Sequence, residues 1–321
     1  VYKRQALRSR KDPRSSVNGA VFVCIRLIPK NMLSFYPTFW HNIFKEIPKM
    51  TARSVPSSLA PIIEELELRQ PKLVTKAYLE ALLKDRGMSL RPDEVTHRLQ
   101  IQGWLLSLKT KDAWEFAPAS RAGKIGSGDP FIELRATLYH RPELPVAVAH
   151  ESAVWLHGFA RRPPEKDVIS IPSHIDPPPA LKGFRITHLQ GRLDPVQIDQ
   201  LPIWSVETLI VLMGERPRSY RTWPTVMEWL GDATSKIDYD LILKELSNRG
   251  MATWARTGYI LEAGGREDLG DKILQQFNPS GKGPFYLGPR KSPGKVDKRW
   301  DVRDSVLLNR DVSISNRNLN K

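Results

Sequence analysis

Between residues 57 and 119 the spacing of apolar positions changes at short intervals. The first apolar group repeats at steps of three and four residues, the period of one helix face, and consists of Leu59, Ile62, Ile63 and Leu66. Ser57 or Ser58 is a suitable N-cap for this helix, and Gln70 and Pro71 are typical of its end. The pattern therefore predicts a first amphipathic helix.

A short apolar pair follows, and then two further helical segments. Leu73 and Val74 predict a strand of minimal length before Thr75, which can cap a helix over residues 76–86 that ends at Gly87. A third helix is predicted from Pro92 to Gln102, because proline is tolerated in the first helical turn and the following acidic residues suit a helix N-terminus.

Two short apolar segments then flank a polar tip. Residues 105–108 and 114–116 predict strands, and the tip at 109–112 contains two lysines. The order helix, short strand, helix, helix, hairpin within about seventy residues is typical of a winged helix-turn-helix. We therefore predict a winged-helix DNA-binding domain over residues 50–119.

Small residues and glycines at 120–128 indicate a domain boundary. Beyond it, residues 129–308 predict a larger mixed α/β domain, so the fold class is α+β. Strands are predicted at 168–172 and 184–189, separated by a turn with three prolines, and helices at 131–139, 146–159, 205–213, 223–230, 239–249 and 251–262.

The positive charge is concentrated at the start of the chain. The net charge is +14, but residues 1–49 hold ten Lys/Arg and two Asp/Glu, so the other 272 residues carry only +6. This segment has no regular apolar period, and Met50 follows it. We expect residues 1–49 to be a non-native or disordered leader with Met50 as the true start; the alternative is a basic arm that binds DNA phosphates. Residues 309–321 are predicted to be a disordered tail.

The third predicted helix carries the candidate DNA-reading residues, because a winged helix places this helix in the major groove. If Val95 and Leu99 face inward, Asp93, Thr96, His97 and Gln100 face outward, and Gln100 can pair with adenine. Phosphate contacts are expected from Arg91 and Lys76 and from the hairpin tip. The predicted DNA-binding residues are Lys76, Arg91, Thr96, His97, Gln100, Lys109 and Lys111.

The predicted winged-helix domain alone attracts DNA phosphates only weakly. Between residues 50 and 118 ten basic residues face nine acidic ones, a net charge of +1. Because phosphate contacts supply much of the affinity for DNA, we expect the second domain or a dimer to contribute. A solvated helix face and a solvated turn are the alternative interpretation of the same residues.

No catalytic or metal-binding pattern is found in the sequence. His150 and His157 have no carboxylate at metal-ligand spacing, and packing is the better interpretation of both. The Asp/Glu-x-Lys triplet of restriction-type nucleases is absent after residue 119, as are a glycine-rich phosphate loop and a serine elbow. We expect no enzyme activity, no cofactor and no metal. A DNA-directed nuclease or transferase, or a winged helix used only for protein contacts, remain alternatives.

Membrane insertion and thiol chemistry are not expected. The apolar stretch Val21 to Ile25 is far shorter than the roughly 20 residues that a membrane span requires. Cys24 is the sole cysteine, which excludes an internal disulfide framework. These features predict a cytoplasmic protein.

Several ordered segments together resemble AbiEi-type antitoxins of type IV toxin-antitoxin systems, particularly the actinobacterial branch. The segments are Ile101-Gln102-Gly103-Trp104-Leu105, Trp114-Glu115-Phe116-Ala117-Pro118, Glu207-Thr208-Leu209-Ile210, Arg216-Pro217-Arg218-Ser219-Tyr220 and the run from Trp254 to Gly265. The resemblance spans residues 50–308. It implies a repressor that binds inverted repeats in its own promoter. It also implies that the second domain counteracts a nucleotidyltransferase-like toxin, with which a stable complex need not form. The toxin-neutralising residues are unknown.

Overall fold

The computed structural model describes residues 54–121, 125–277 and 282–307. The expected leader at 1–49, the expected start at Met50 and the expected tail at 309–321 lie outside the described residues. The described residues belong to one compact unit and contain helices together with three sheets. The predicted mixture of α and β structure is therefore confirmed.

The N-terminal part contains three helices and a three-stranded antiparallel sheet. Its elements in chain order are α1 (Ala60–Arg69), β1 (Leu73–Thr75), α2 (Lys76–Asp85), α3 (Pro92–Ile101), β2 (Leu105–Ser107) and β3 (Ala113–Phe116). The strand order is β1-β3-β2, so the hairpin of β2 and β3 pairs with the short strand that precedes α2. The predicted helices and strands are present at these positions.

Local signals account for most of these boundaries. The side chain of Thr75 accepts a hydrogen bond of 3.1 Å from the backbone N–H of Tyr78, which caps α2 as predicted. Gly87 and Gly103 follow α2 and α3 with φ of +60° and +78°, values that glycine adopts without a steric penalty. The predicted serine cap of α1 is wrong: Leu59 occupies the N-cap position, and no side chain caps the helix.

The N-terminal elements enclose their own hydrophobic core. Leu59 at the N-cap and Ile62 and Leu66 of α1 are fully buried, and they pack with the apolar faces of α2 and α3 and with the hairpin. A separate and larger core is formed by residues between 131 and 307. The predicted boundary at 120–128 lies between the two cores.

The second part opens with helices and strands that alternate. Its first elements are α4 (Ile132–His140), β4 (Ala147–Val148), α5 (His150–Leu156), β5 (Val168–Ser170), β6 (Arg185–Thr187), β7 (Val196–Ile198) and β8 (Leu201–Ile203). These strands form a five-stranded mixed sheet in the order β6-β5-β4-β8-β7, in which the pairs β4–β8 and β5–β6 are parallel and the other two antiparallel.

Helices then follow, and a small sheet ends the described chain. The remaining elements are α6 (Val206–Glu215), α7 (Val226–Ser235), α8 (Tyr239–Leu246), α9 (Met251–Ala263), α10 (Glu267–Gln276), β9 (Phe285–Leu287), β10 (Lys295–Asp297) and β11 (Val302–Asp304). The last three strands form a sheet in the order β10-β11-β9. Helix α6 is buried along nearly its whole length and packs against α8 and α9, at the centre of this part.

The predicted helix over residues 146–159 is wrong in its first turn. Val148 pairs with Ile169 on one side and with Ile203 on the other, which makes β4 the middle strand of the sheet. The helix begins only at His150, whose φ of +48° places it in the left-handed region. A central strand of two residues has no alternating pattern, so the periodicity of its sequence favours the helix that follows.

Candidate nucleic-acid interface and C-terminal domain

Helix α3 is held in place by the two residues that were expected to face inward. Val95 and Leu99 are fully buried in the N-terminal core. Arg91, Asp93, Glu94, His97 and Ile101 are exposed on the same helix or at its start. The helix thus presents an exposed face, and His97 and Ile101 lie one turn apart on it.

The expected outward position of Thr96 is wrong. Its side chain is only 5% exposed, and its Oγ1 donates a hydrogen bond of 2.8 Å to the carbonyl oxygen of Pro92. Thr96 follows the buried Val95 by one residue, a rotation of about 100° that leaves it on the flank of the buried stripe. A threonine there satisfies its hydroxyl with the carbonyl four residues earlier. Thr96 is therefore not placed to contact a base.

Gln100 and Lys76 are only partly available for a ligand. Gln100 is half-buried, and its Nε2 donates a hydrogen bond of 2.7 Å to Oγ of Ser107 on β2. Lys76 Nζ lies 2.8 Å from Oδ1 of Asp93, and this hydrogen bond raises the pKa of Lys76. Its positive charge is thus already balanced by the first turn of α3.

The tip of the hairpin is attached to α4. The backbone N–H of Lys109 donates to the carboxylate of Glu133 at 3.0 Å, and Nε2 of His140 lies 2.8 Å from the carbonyl oxygen of Lys111. Both lysines are nevertheless exposed. These contacts fix the backbone of the tip while they leave two cationic side chains facing solvent.

Asp199, on the loop between β7 and β8, joins the two parts of the described chain. Its carboxylate pairs with Lys72, just before β1, and with Arg135 of α4. The hydrogen bond from Lys72, together with the positive charge of Arg135, lowers the pKa of Asp199. Lys72 and Asp199 are about half exposed, so water and salt weaken this contact.

Ile101 is a candidate contact residue that sequence reasoning missed. Its side chain is 64% exposed at the C-terminal end of α3. It follows His97 by four residues and falls outside the stripe of Val95 and Leu99, which is the signal that could have identified it. An exposed apolar side chain in this position can contact the methyl group of thymine.

His150 is the most deeply buried titratable side chain with no polar partner in the five-stranded-sheet region. It is 1% exposed, and its ring packs edge-on against Trp204, with ring centroids 4.8 Å apart, and near Tyr220. Neither ring nitrogen has a hydrogen-bond partner among the described residues. Burial, and then the positive charge of Arg185, lowers the pKa of His150 to about 3. Packing, as predicted from the sequence, accounts for its position.

This buried imidazole should make stability depend on pH. The unfolded chain binds a proton near pH 6.5 and the folded chain only near pH 3, so the free energy of unfolding should fall as the pH drops through this window. The loss should be on the order of a few kcal/mol. His150→Phe keeps an aromatic ring against Trp204 and removes the titration, so it should flatten the dependence. Urea unfolding at several pH values between 4 and 7 checks this.

The exposed His174 supplies the control. His174→Gln should be about as stable as the parent at neutral pH, since exposed substitutions usually change stability by no more than about 0.5 kcal/mol. A steep profile that persists in His150→Phe would assign the pH dependence to other groups. Because φ at residue 150 is positive, the phenylalanine variant should also lose some stability at neutral pH.

Comparison with known proteins bears on the second part of the chain. A family model described as "AbiEi antitoxin C-terminal domain" matches residues 146–263. The matched segment therefore resembles the C-terminal domain of AbiEi antitoxins. It runs from the start of the five-stranded sheet to the end of α9, and we refer to residues 146–263 as the antitoxin domain. The resemblance to AbiEi-type antitoxins is confirmed, and the match supports an antitoxin role.

A solved structure shares the overall fold. The chain is similar to the protein RV2827C from Mycobacterium tuberculosis, with a TM-score of 0.64, 22% sequence identity, and coverage of 82% of this chain and 97% of that chain. At this identity the likeness shows the fold alone. No curated protein matches the sequence.

Helices able to span a membrane and clusters of metal ligands are both absent from the described residues. Among residues 54–121, 125–277 and 282–307, no helix is both long and apolar enough to cross a bilayer. The same residues contain no group of three or more His, Cys, Asp or Glu side chains that could hold a metal ion.

Proposed function

We propose that residues 50–119 are a winged-helix domain that binds double-stranded promoter DNA at inverted repeats and represses transcription of its own gene. In this proposal the antitoxin domain, with the rest of residues 129–308, counteracts a nucleotidyltransferase-like toxin, and the chain performs no catalysis. The supporting observation is the exposed face of α3 beside a hairpin tip with two exposed lysines. A helix that enters the major groove and a hairpin that contacts the adjacent backbone use these two surfaces.

The reading set that we propose differs from the sequence-based set by one exchange, in which Ile101 replaces Thr96. His97, Ile101 and Gln100 contact base edges, while Arg91, Lys109 and Lys111 contact phosphates. Lys76 contacts a phosphate after its release from Asp93. Thr96 supports the helix from within. Because the charge of this domain is nearly balanced, we propose that two copies bind together, as an inverted repeat requires.

A gel-shift assay of the full-length chain with its own promoter tests DNA binding. We expect a shift without added metal, and log affinity should fall linearly with log salt as phosphate contacts release counterions. Metal-dependent cleavage of the DNA would favour the enzyme alternative. A complete absence of promoter binding would favour a winged helix used only for protein contacts.

Two substitutions should separate base reading from phosphate contact. Gln100→Ala is expected to relax preference at one base position and to cost about 1–3 kcal/mol on the preferred sequence. Lys109→Ala should weaken binding to all sequences alike and make the salt slope shallower. Lys84→Ala, an exposed lysine of α2, is the matched control and should bind as the parent does. Unchanged binding in both test variants would show that the reading face is elsewhere.

Toxin neutralisation can be tested separately from DNA binding. The full-length chain is co-expressed with the toxin encoded next to its gene, and growth is measured. A variant that no longer binds promoter DNA should still restore growth, because we propose that the antitoxin domain acts independently of α3. Loss of protection in every DNA-binding variant would contradict this division.

A further inference from the structure

An arginine-rich cleft lies between the end of α6, the start of α9 and the strand β9. Its volume is about 990 Å³, and four of its lining residues are Arg216, Arg218, Arg256 and Arg290. We call this the arginine cleft. A volume of this size matches small-molecule and cofactor sites, which span about 300–1,000 Å³.

Positive charge predominates in the described lining of the cleft, where four arginines meet one carboxylate. The one carboxylate in its lining, Glu215, is paired with Arg249, which lies outside the cleft. Within residues 54–121, 125–277 and 282–307, none of the four arginines forms an ion pair. Convergence of unpaired guanidinium groups is unfavourable unless an anion binds among them.

Among the four arginines, Arg256 gives the clearest indication of an anion site. Its Nη1 donates to the backbone carbonyl oxygens of Gly214 and Glu215, at 2.8 and 3.3 Å, which fixes the guanidinium at the floor of the cleft. Its Nε is buried and has no partner among the described residues. Burial, and then the nearby Arg290, lowers the pKa of Arg256. A guanidinium held in place in this way is a preorganised anion site.

The arginine cleft also offers an aromatic ring. Tyr286 of β9 lines it, and the guanidinium of Arg290 lies over this ring, 5.5 Å from its centroid. Stacking of this kind holds a flexible arginine ready for a ligand at a low entropic cost. Arginine is also the side chain best matched to phosphate oxygens, which it can bind through two parallel hydrogen bonds.

We propose that the arginine cleft binds a small ligand with two or more phosphate groups, of the nucleoside polyphosphate class. Several guanidiniums around a concave site match a chain of phosphates better than a single carboxylate. The recessed position of Arg256 favours a free ligand over the backbone of a duplex, which contacts projecting side chains. This inference is independent of promoter binding by α3.

Isothermal titration of the full-length chain tests the proposal. ATP, GTP and inorganic tripolyphosphate are the probes, and adenosine is the phosphate-free comparison. The phosphorylated probes should bind and adenosine should not. The double variant Arg218→Glu/Arg290→Glu should lose affinity by at least about tenfold, because charge-assisted hydrogen bonds to phosphate are replaced by repulsion. Both residues are exposed, so the variant should remain folded.

A variant with the same change in net charge provides the control. Arg141→Glu/Arg162→Glu alters two exposed arginines outside the cleft and should retain parental affinity. Equal losses in both variants would indicate diffuse attraction and overturn the proposal. The proposal is also overturned if none of the three phosphorylated probes binds. This holds even where the cleft variant weakens the binding of DNA. A third variant, Arg216→Ala, repeats the test with the charge removed rather than reversed.

Discussion

Replacement of Glu245 by alanine is expected to destabilise the protein by about 3–5 kcal/mol, the typical cost of breaking a buried ion pair. Glu245 lies on α8 and its side chain is fully buried. Its carboxylate pairs with Arg249 and accepts hydrogen bonds from the backbone N–H groups of Arg192 and Leu193 and from Oγ1 of Thr208. Its removal deprives the nearly buried guanidinium of Arg249 and two part-buried backbone donors of this partner, and leaves Arg249 with Glu215 alone.

Urea unfolding of the purified full-length chain measures this loss. Glu245→Gln should be less damaging, because the amide oxygen can still accept part of the hydrogen bonds, although the charge is lost. Glu228→Ala, at an exposed glutamate of α7, is the control and should change stability by no more than about 0.5 kcal/mol. A cost for Glu245→Ala as small as that of the control would show that the buried carboxylate contributes nothing.

Gly258→Ala is the second substitution with a large expected effect. Gly258 lies in the interior of α9, where alanine ordinarily stabilises a helix by about 0.5–1 kcal/mol. A Cβ atom at this position would approach Cη2 of the buried Trp300 to 2.0 Å. We therefore expect a loss of about 1–3 kcal/mol or more from overpacking, measured by thermal or urea unfolding.

Two further variants make this prediction specific. Gly231→Ala, in α7, is the matched control: the nearest atom to its added Cβ is 3.8 Å away, so this variant should gain stability. Trp300→Phe removes the part of the ring that blocks Gly258, and the indole nitrogen has no hydrogen-bond partner among the described residues to lose. In a double-mutant cycle the phenylalanine should therefore relieve much of the cost of Gly258→Ala. Purely additive losses would contradict close packing of these two residues.

Local signals predicted the N-terminal part of the chain well. The periods of its apolar residues, the threonine cap of α2 and the two glycines after α2 and α3 act between residues that are close in sequence. Thr96 is the exception that shows the limit. At the edge of the apolar stripe, a shift of one residue along the helix separates a buried position from an exposed one. Packing against the neighbouring core, and not the period of the helix itself, determines whether such a position is buried.

The antitoxin domain was predicted less completely. Long helices such as α6 and α9 have enough residues to show a period, whereas strands of two or three residues do not. The hairpin of β7 and β8, the helix α10 and the sheet at the C-terminus were not predicted. Their stability depends on pairing partners that are remote in sequence, as when β9 pairs with β11.

Short-range patterns were enough to predict the order of elements in residues 57–119, the mixed character of the chain and its resemblance to AbiEi-type antitoxins. Which groups meet across the chain depends instead on the tertiary structure. It brought Gly258 against Trp300, enclosed Glu245 with partners about fifty residues away, and gathered Arg216, Arg256 and Arg290 around one cleft. Hydrogen bonds, close packing and charge act over a few ångströms in space, and separation along the chain does not reveal which residues share that space.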